Sequence, residues 1–297
     1  MSGRLFTSGP AIDPWYSGLR NATDARSSQI REWCEALWVK YRQYADAHFL
    51  VEIRRDFHAR FWEMYLAVTL LECGHRIYCP RPVGPDVGIE VDGRRIWFEA
   101  VAPKPGDGAD KVPPLIMNEM QSVPNEQLVL RYLNAIDNKL TEQLPGWRAA
   151  GVFAEGDALV IAINPRSLGR DVLDSTPPRI LQAAFPMGAP YASVDAHGGG
   201  VVGEGYTKRP AIRKVSGSEV RTGAFLEPTG IDLSGLLCSR VDASMPPPRM
   251  GADFQLVPNP LARVELPPAF RLPGTYYPVA RNGDALDVTV FPDRGTP

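Results

Sequence analysis

"GPDVGIEVDGRRIWFEA", residues 84 to 100, is the stretch from which the rest of the chain is read. Two runs of strand-forming residues, Val87 to Val91 and Arg95 to Ala100, flank Asp92-Gly93, the dipeptide favoured by a two-residue type I′ hairpin because both central residues take positive φ. With Asp92 and Gly93 as the loop, Val91 pairs with Arg94, and counting outward brings Asp86 opposite Glu99. Two carboxylates on one face of a hairpin, roughly 5 Å apart, repel each other unless a cation lies between them.

Upstream, residues 1 to 22 read as an irregular lead-in rich in Gly, Pro and Ser. Asp24 or Ser27 is placed to cap a helix in which Ile30, Trp33, Leu37 and Tyr41 recur at helical spacing. A second helical pattern covers about 54 to 73, "RRDFHARFWEMYLAVTLLEC", with Gly74 as its C′ residue. "HRIYC" (75 to 79) then reads as a strand that Pro80 and Pro82 end. Downstream, "KPGDGADKVPPL" is a loop, and a helix from about Asn125 to Trp147 carries the apolar stripe Leu133, Ile136, Leu140 and Leu144, with Pro145-Gly146 limiting its reach. "ALVIAIN" (158 to 164) suits a strand buried on both faces. "IDLSGLLCSRV" (231 to 241) reads as another buried strand, and "FQLVPNPLARVEL" as edge strands.

The 297 residues suffice for a sizeable core, and 44% hydrophobic with 22% charged residues is ordinary for a soluble globular chain. The 29 prolines and 27 glycines crowd the second half, which should therefore be loop-rich. A net charge of −2 gives no global field for nucleic acid or membrane, but Arg54-Arg55, Arg94-Arg95 and "TKRPAIRK" (207 to 214) are local basic clusters, able to meet phosphates or simply solvated. Cys34, Cys73, Cys79 and Cys238 have no zinc-like spacing and read as reduced thiols, with Cys73 and Cys79 as small core residues. No apolar run approaches the length of a membrane helix and no leader pattern opens the chain, so the expectation is a cytoplasmic protein with no membrane partner.

Glu63 is the only charged residue between Phe61 and Leu71, on a helix apolar nearly all round, so it should be buried and needs a partner, a metal or a shifted pKa. The bland alternative is an arginine such as Arg60 or Arg95. Asp86, Glu99 and Glu63 together are hard oxygen donors of the kind Mg²⁺ or Mn²⁺ prefers. A cation held there removes the hairpin's repulsion and activates water.

The order "FWEMYLA" on a helix, a strand, "GPD", and "FEAVAP" with twelve residues between Asp86 and Glu99 resembles the core of the PD-(D/E)XK nuclease superfamily, in its restriction-endonuclease-like order of helix, three strands, helix, strand. The resemblance spans residues 54 to 164. It implies that Asp86 and Glu99 bind the divalent metal, that the Ala100 carbonyl joins them, and that Glu63 belongs to the metal-proximal helix.

The family pattern has lysine two residues after the second acid, where this chain has Val101, on the same face as Glu99. Some members of the superfamily carry that lysine on the following helix, and Lys139 is the best substitute: it flanks the apolar stripe about 100° from Leu140, on a border shared with Tyr132 and Gln143. The alternative for Lys139 is a surface lysine with its stem along apolar neighbours. Lys104, past the strand end between Pro103 and Pro105, is a weaker candidate, and His58 reads as a core or solvent-facing residue. "HGGG" (197 to 200) lacks the G-x-S-x-G elbow that an oxyanion-loop reading needs, so "HGGGVVGEGYTKRP" (197 to 210) is expected to be a mobile or tightly turned loop.

The expectation is therefore an α/β protein with a mixed sheet flanked by helices, one compact domain over 1–297, with a nuclease-like core at about 54–165 and a strand-and-loop extension at about 166–297. Its expected function is divalent-metal-dependent hydrolysis of nucleic acid, DNA first, by Asp86, Glu99, Lys139 and Glu63. Arg54, Arg55, Lys208, Arg209, Arg213 and Lys214 would position the phosphate backbone, with a homodimer left open. Two alternatives stand beside it: a catalytically silent scaffold that binds nucleic acid or protein, and an unrelated α/β fold in which Asp86 caps a turn and Glu99 pairs with an arginine.

Overall fold

The computed structural model describes residues 3–80, 82–171, 174–282 and 285–292. Its hairpin forms as the turn chemistry requires: β1 (Val87–Val91) and β2 (Arg94–Val101) are antiparallel, Val91 pairs with Arg94 and Val87 with Phe98, and Asp92 and Gly93 lie at φ 51° and 75°. Gly88 sits opposite Trp97, where a Cβ would come within 2.6 Å of both the Trp97 indole and the Tyr78 ring, so only glycine lets these aromatics close over the strand. β3 (Ala158–Ile163), every residue buried, runs parallel to β2.

Two small hairpins follow, β4 (Met187–Val194) with β5 (Val201–Lys208), and β6 (Ala211–Arg213) with β7 (Glu219–Arg221). The chain then returns to the main sheet. β8 (Gly235–Cys238) is parallel to β3, β9 (Gln255–Pro258) antiparallel to β8, and β10 (Thr275–Tyr276) parallel to β9 at the edge. The six-stranded mixed sheet has the order β1-β2-β3-β8-β9-β10, and β11 (Val279–Asn282) with β12 (Ala285–Val288) forms a separate pair.

Helices cover both faces. On one lie α1 (Pro14–Asn21), α2 (Ala25–Tyr41), α3 (Phe49–Glu52) and α4 (Phe57–Glu72), sharing a core with Ile96, Phe98, Val160, Ala162 and Leu237. α4 is capped by Asp56, which accepts from the Ala59 N–H, and ends before Gly74 at φ 84°. Phe61, Met64 and Leu66 of α4 are wholly buried, each stabilising the fold by about 1.5–3 kcal/mol through leaving water, and the Trp62 indole N–H ties the helix to the Ala162 carbonyl of β3 at 2.9 Å. On the other face α5 (Asn125–Asn138), α6 (Leu144–Ala149) and α7 (Arg179–Ala184) pack on Trp97, Leu159, Ile161, Leu236 and Val257. Strand alternation thus turns Phe98 and Ala100 toward α4, and Trp97, Glu99 and Val101 toward α5. No helix among the described residues is long and apolar enough to cross a membrane.

Several expectations are corrected. Residues 75–79 form no strand; Tyr78 makes a single antiparallel bridge to Gly88, because Pro80 and Pro82 follow too closely for a ladder to grow. The core therefore runs helix, strand, strand, helix, strand, one strand short of the expected order. The lead-in contains α1, capped by the Asp13 carboxylate. The glycine-rich run at 197–210 is largely strand β5, since Val201, Val202, Tyr206 and Thr207 supply β propensity that its glycines do not cancel. Residues 228–232 form a 3-10 turn, leaving only 235–238 of the long apolar run as strand, and β9 is interior, with β10 outside it. The helix expected over about Asn125 to Trp147 forms with Pro145 inside it, but not as a plain α-helix. It widens into a π turn over Lys139–Gln143, where the Leu144 N–H reaches the Lys139 carbonyl, and continues to Ala149. A proline ring clashes with the carbonyl four residues back in an α-helix, and the wider turn relieves that contact. Cys34 and Cys238 are buried, Cys73 and Cys79 half-buried, and all four are free thiols.

Candidate active site

The acids meet near the C-terminal end of β2. Asp86 stands one residue before the first β1–β2 pair, across from Glu99, and its Oδ2 accepts from the Ala100 N–H at 2.8 Å. The Val101 carbonyl is bonded on the β3 side by the Asn164 N–H, so strand alternation directs the Ala100 carbonyl to the β1 side, where Asp86 lies. Glu99, 5% exposed, receives the Lys139 ammonium: Nζ lies 2.5 Å from Glu99 Oε1 and donates a second hydrogen bond to Gln143 Oε1 at 3.1 Å. Lys139 opens the π turn, so the helix is locally widened where this side chain leaves it.

Glu63 comes from α4. It is 4% exposed, and its two oxygens are held separately: the Tyr41 hydroxyl donates to Oε1 and the Arg60 guanidinium to Oε2, each at 2.5 Å. Glu63 thus meets the arginine that the bland reading named, yet its charge is still felt by the other acids. The Asp86 carboxyl is pushed well above the ordinary 3.8, first by burial, then by Glu99 and Glu63, with Lys139 and the Ala100 N–H opposing. Burial also raises Glu99 in spite of Lys139. Arg60 is held above its ordinary value: burial opposes its charge, but Glu63 beside it prevails. Of these acids, Asp86 is the one whose ionised form burial and its acidic neighbours oppose most.

Among the described residues no group of three or more His, Cys, Asp or Glu side chains is arranged to hold a metal ion. The available donor set is smaller: Asp86, Glu99 and the Ala100 carbonyl. Such a set suits a Mg²⁺ or Mn²⁺ ion, which takes one or two carboxylates and fills its remaining positions with water or phosphate oxygens.

Other candidates lie elsewhere or are already engaged. Lys104 pairs with Asp56 at 2.6 Å. His58 Nε2 lies 2.9 Å from Asn164 Oδ1, which also accepts from the Arg166 N–H, while Asn164 Nδ2 donates to the Val241 carbonyl; His58 Nε2 is therefore the donor. Arg54 is half-buried and donates to the Leu50 carbonyl, and exposed Arg55 pairs with Glu52. Arg209 bonds Gln182, and burial lowers its pKa, whereas Lys208 and Arg213 are exposed and Lys214 is half-buried on the small hairpins. Arg54 and Arg55 thus follow α3, whereas the other four lie on or just after β5 and β6 of the small hairpins.

Tyr41 escapes the sequence reading as a site residue, and Gln143 is read there only as sharing a helix border with Lys139. Tyr41 was placed in an apolar stripe, and nothing local indicates that its hydroxyl meets an acid twenty-two positions on. Gln143 shares a face with Lys139 at the i, i+4 spacing, which is a usable signal. Comparisons of the chain with family models, curated proteins and solved structures find no match in any of the three.

Proposed function

We propose that this chain is a divalent-metal-dependent nuclease of PD-(D/E)XK type, hydrolysing phosphodiester bonds of nucleic acid, DNA first, with its lysine moved from the strand to the following helix. The observation that carries the reading is the Lys139–Glu99 contact beside Asp86: two acids and a lysine from three separate elements gather where Val101 leaves the lysine position empty.

Asp86, Glu99 and the Ala100 carbonyl would hold the ion. Bound there, the metal supplies positive charge to the phosphoryl oxygens and lowers the pKa of a water nucleophile. Lys139 has three N–H donors, of which Glu99 and Gln143 take two, leaving the third for a phosphoryl oxygen that gains charge in the transition state. Glu63, gripped by Tyr41 and Arg60, acts as a positioning residue whose field keeps the site attractive to cations. Exposed Arg55, Lys208 and Arg213 are the cations best placed to meet phosphates of a long substrate.

The test is cleavage of single- and double-stranded DNA and RNA with Mg²⁺, Mn²⁺ or EDTA, beside Asp86→Ala and Lys139→Ala. Metal-dependent cutting that both variants lose supports the nuclease. A second reading, a silent nucleic-acid-binding or protein-binding scaffold, is favoured by one observation: Lys139 already neutralises Glu99 without a metal. Binding with no cleavage under any metal selects it.

A further inference from the structure

We propose that the cavity at the carboxyl ends of β2 and β3 is a pocket for one unpaired nucleobase of the substrate strand, with Trp15 as its stacking wall; this rests on the nucleic-acid reading above. The cavity holds about 540 Å³, within the size range of small-molecule sites. It lies at the carboxyl ends of β2 and β3, where open α/β sheets receive ligands, walled by Lys104 beyond β2, Arg166 beyond β3 and His58 at the start of α4. His58 and Glu63 are five residues apart on α4, about 7.5 Å along its axis, and Lys104 follows Glu99 just past the end of β2, so the cavity and the acids share the carboxyl-terminal side of β2.

Trp15 gives the pocket its chemistry. Trp38, Trp62, Trp97 and Trp147 are buried, whereas Trp15 is 58% exposed, on a helix that buries Tyr16 and Leu19 instead. Its indole, with exposed Leu115 nearby, presents apolar surface to the cavity, the arrangement on which a base stacks. The polar groups are donors and acceptors in pairs: Lys104 with Asp56, and Arg166 with Asp242. A base edge carries both kinds of group and can exchange with either pair, most easily with the exposed Lys104–Asp56 pair, which contributes little to the fold.

Charge decides which part of a nucleotide enters. Three aspartates, Asp13, Asp56 and Asp242, face the cavity against Lys104 and Arg166, and burial holds His58 below its ordinary pKa and so toward the neutral form. The net negative wall disfavours a phosphate and admits an uncharged heterocycle. In a duplex the base is stacked and paired, so the pocket selects unpaired or extruded nucleotides.

The experiment is done in EDTA, so that binding is read without cleavage. Tryptophan fluorescence is titrated with a single-stranded DNA oligonucleotide, an abasic oligonucleotide of the same length, and inorganic phosphate. Saturable quenching by the first alone is expected. In anisotropy measurements with labelled oligonucleotide, Trp15→Leu should bind about tenfold or more weakly, the loss of one stacked base, and Trp15→Phe should recover most of it. Equal binding of the abasic strand, or undiminished binding by Trp15→Leu, overturns the pocket. Metal-dependent cleavage without base-dependent binding also overturns it while leaving the nuclease reading intact. Base-dependent binding without cleavage supports the pocket and removes the nuclease reading instead.

Discussion

Lys139 and Glu99, forty residues apart in sequence, form a nearly dry ion pair of 2.5 Å, their side chains 14% and 7% exposed. Removing the lysine leaves a carboxylate buried without its cation. Lys139→Ala is therefore expected to lose about 3–5 kcal/mol of stability at neutral pH in EDTA, measured by urea denaturation. If the ammonium also meets the transition state, cleavage should fall by about 10²–10³-fold even under conditions where the variant is fully folded.

Val101 allows a sharper test, because it shares a face with Glu99 and its side chain is only half-buried. A lysine introduced there has a direct path to the same carboxylate. Val101→Lys in the Lys139→Ala background should recover cleavage at least tenfold over Lys139→Ala alone, whereas Val101→Lys in the wild-type chain should gain nothing. Recovery identifies the amine, rather than the helix that carries it, as the active component. Failure of the double variant, with its fold intact, sinks the migrated-lysine account.

The raised Asp86 carboxyl couples stability to pH and to metal. In the folded chain Asp86 keeps a proton that the unfolded chain releases near 3.8, so its contribution is fully present below that pH and is lost as pH climbs through the raised folded value. In EDTA the wild type should therefore lose Tm relative to Asp86→Asn between pH 5 and pH 7.5. Mg²⁺ should restore that loss in the wild type at pH 7.5 and leave the variant unmoved. Parallel melting curves with and without metal decide it; a metal response of equal size in both proteins places the ion elsewhere.

Tyr41 donates to a carboxylate that is 4% exposed, a hydrogen bond of the charge-assisted kind. Tyr41→Phe should cost about 1.5–3 kcal/mol in chemical denaturation. If Glu63 positions rather than reacts, as proposed, cleavage should decline without disappearing.

What the sequence made legible follows from how local each cause is. Asp92-Gly93 dictated its turn, the turn dictated the register, and the register placed Asp86 across from Glu99 without tertiary information. Lys139 was identifiable because a helical wheel constrains which residues border an apolar stripe. The strand at 75–79 failed because its propensity was opposed by prolines just beyond it, and β5 was hidden because its partner β4 has to be known before the glycines read as strand. Tyr41 at Glu63 and the cavity near Trp15 depend on how α1, α2 and α4 pack, which no periodicity encodes.

The π turn links Pro145 to the position of Lys139. Leu144 donates five residues back to the Lys139 carbonyl, and Pro145 follows with no N–H of its own, so the helix widens over the residues that carry Lys139 and Gln143. π turns inserted in α-helices are frequent at functional sites, and this one is stabilised by a residue outside the site. Pro145→Ala removes the ring clash and supplies the missing donor, which lets residues 139–145 relax toward α geometry. The expected result is a Tm equal to or above wild type together with cleavage reduced about tenfold or more, since the Lys139 ammonium no longer meets Glu99 at the same angle. Unchanged activity in this variant would mean that Lys139 reaches Glu99 from an ordinary α-helix as well, and that the π turn serves only to accommodate the proline.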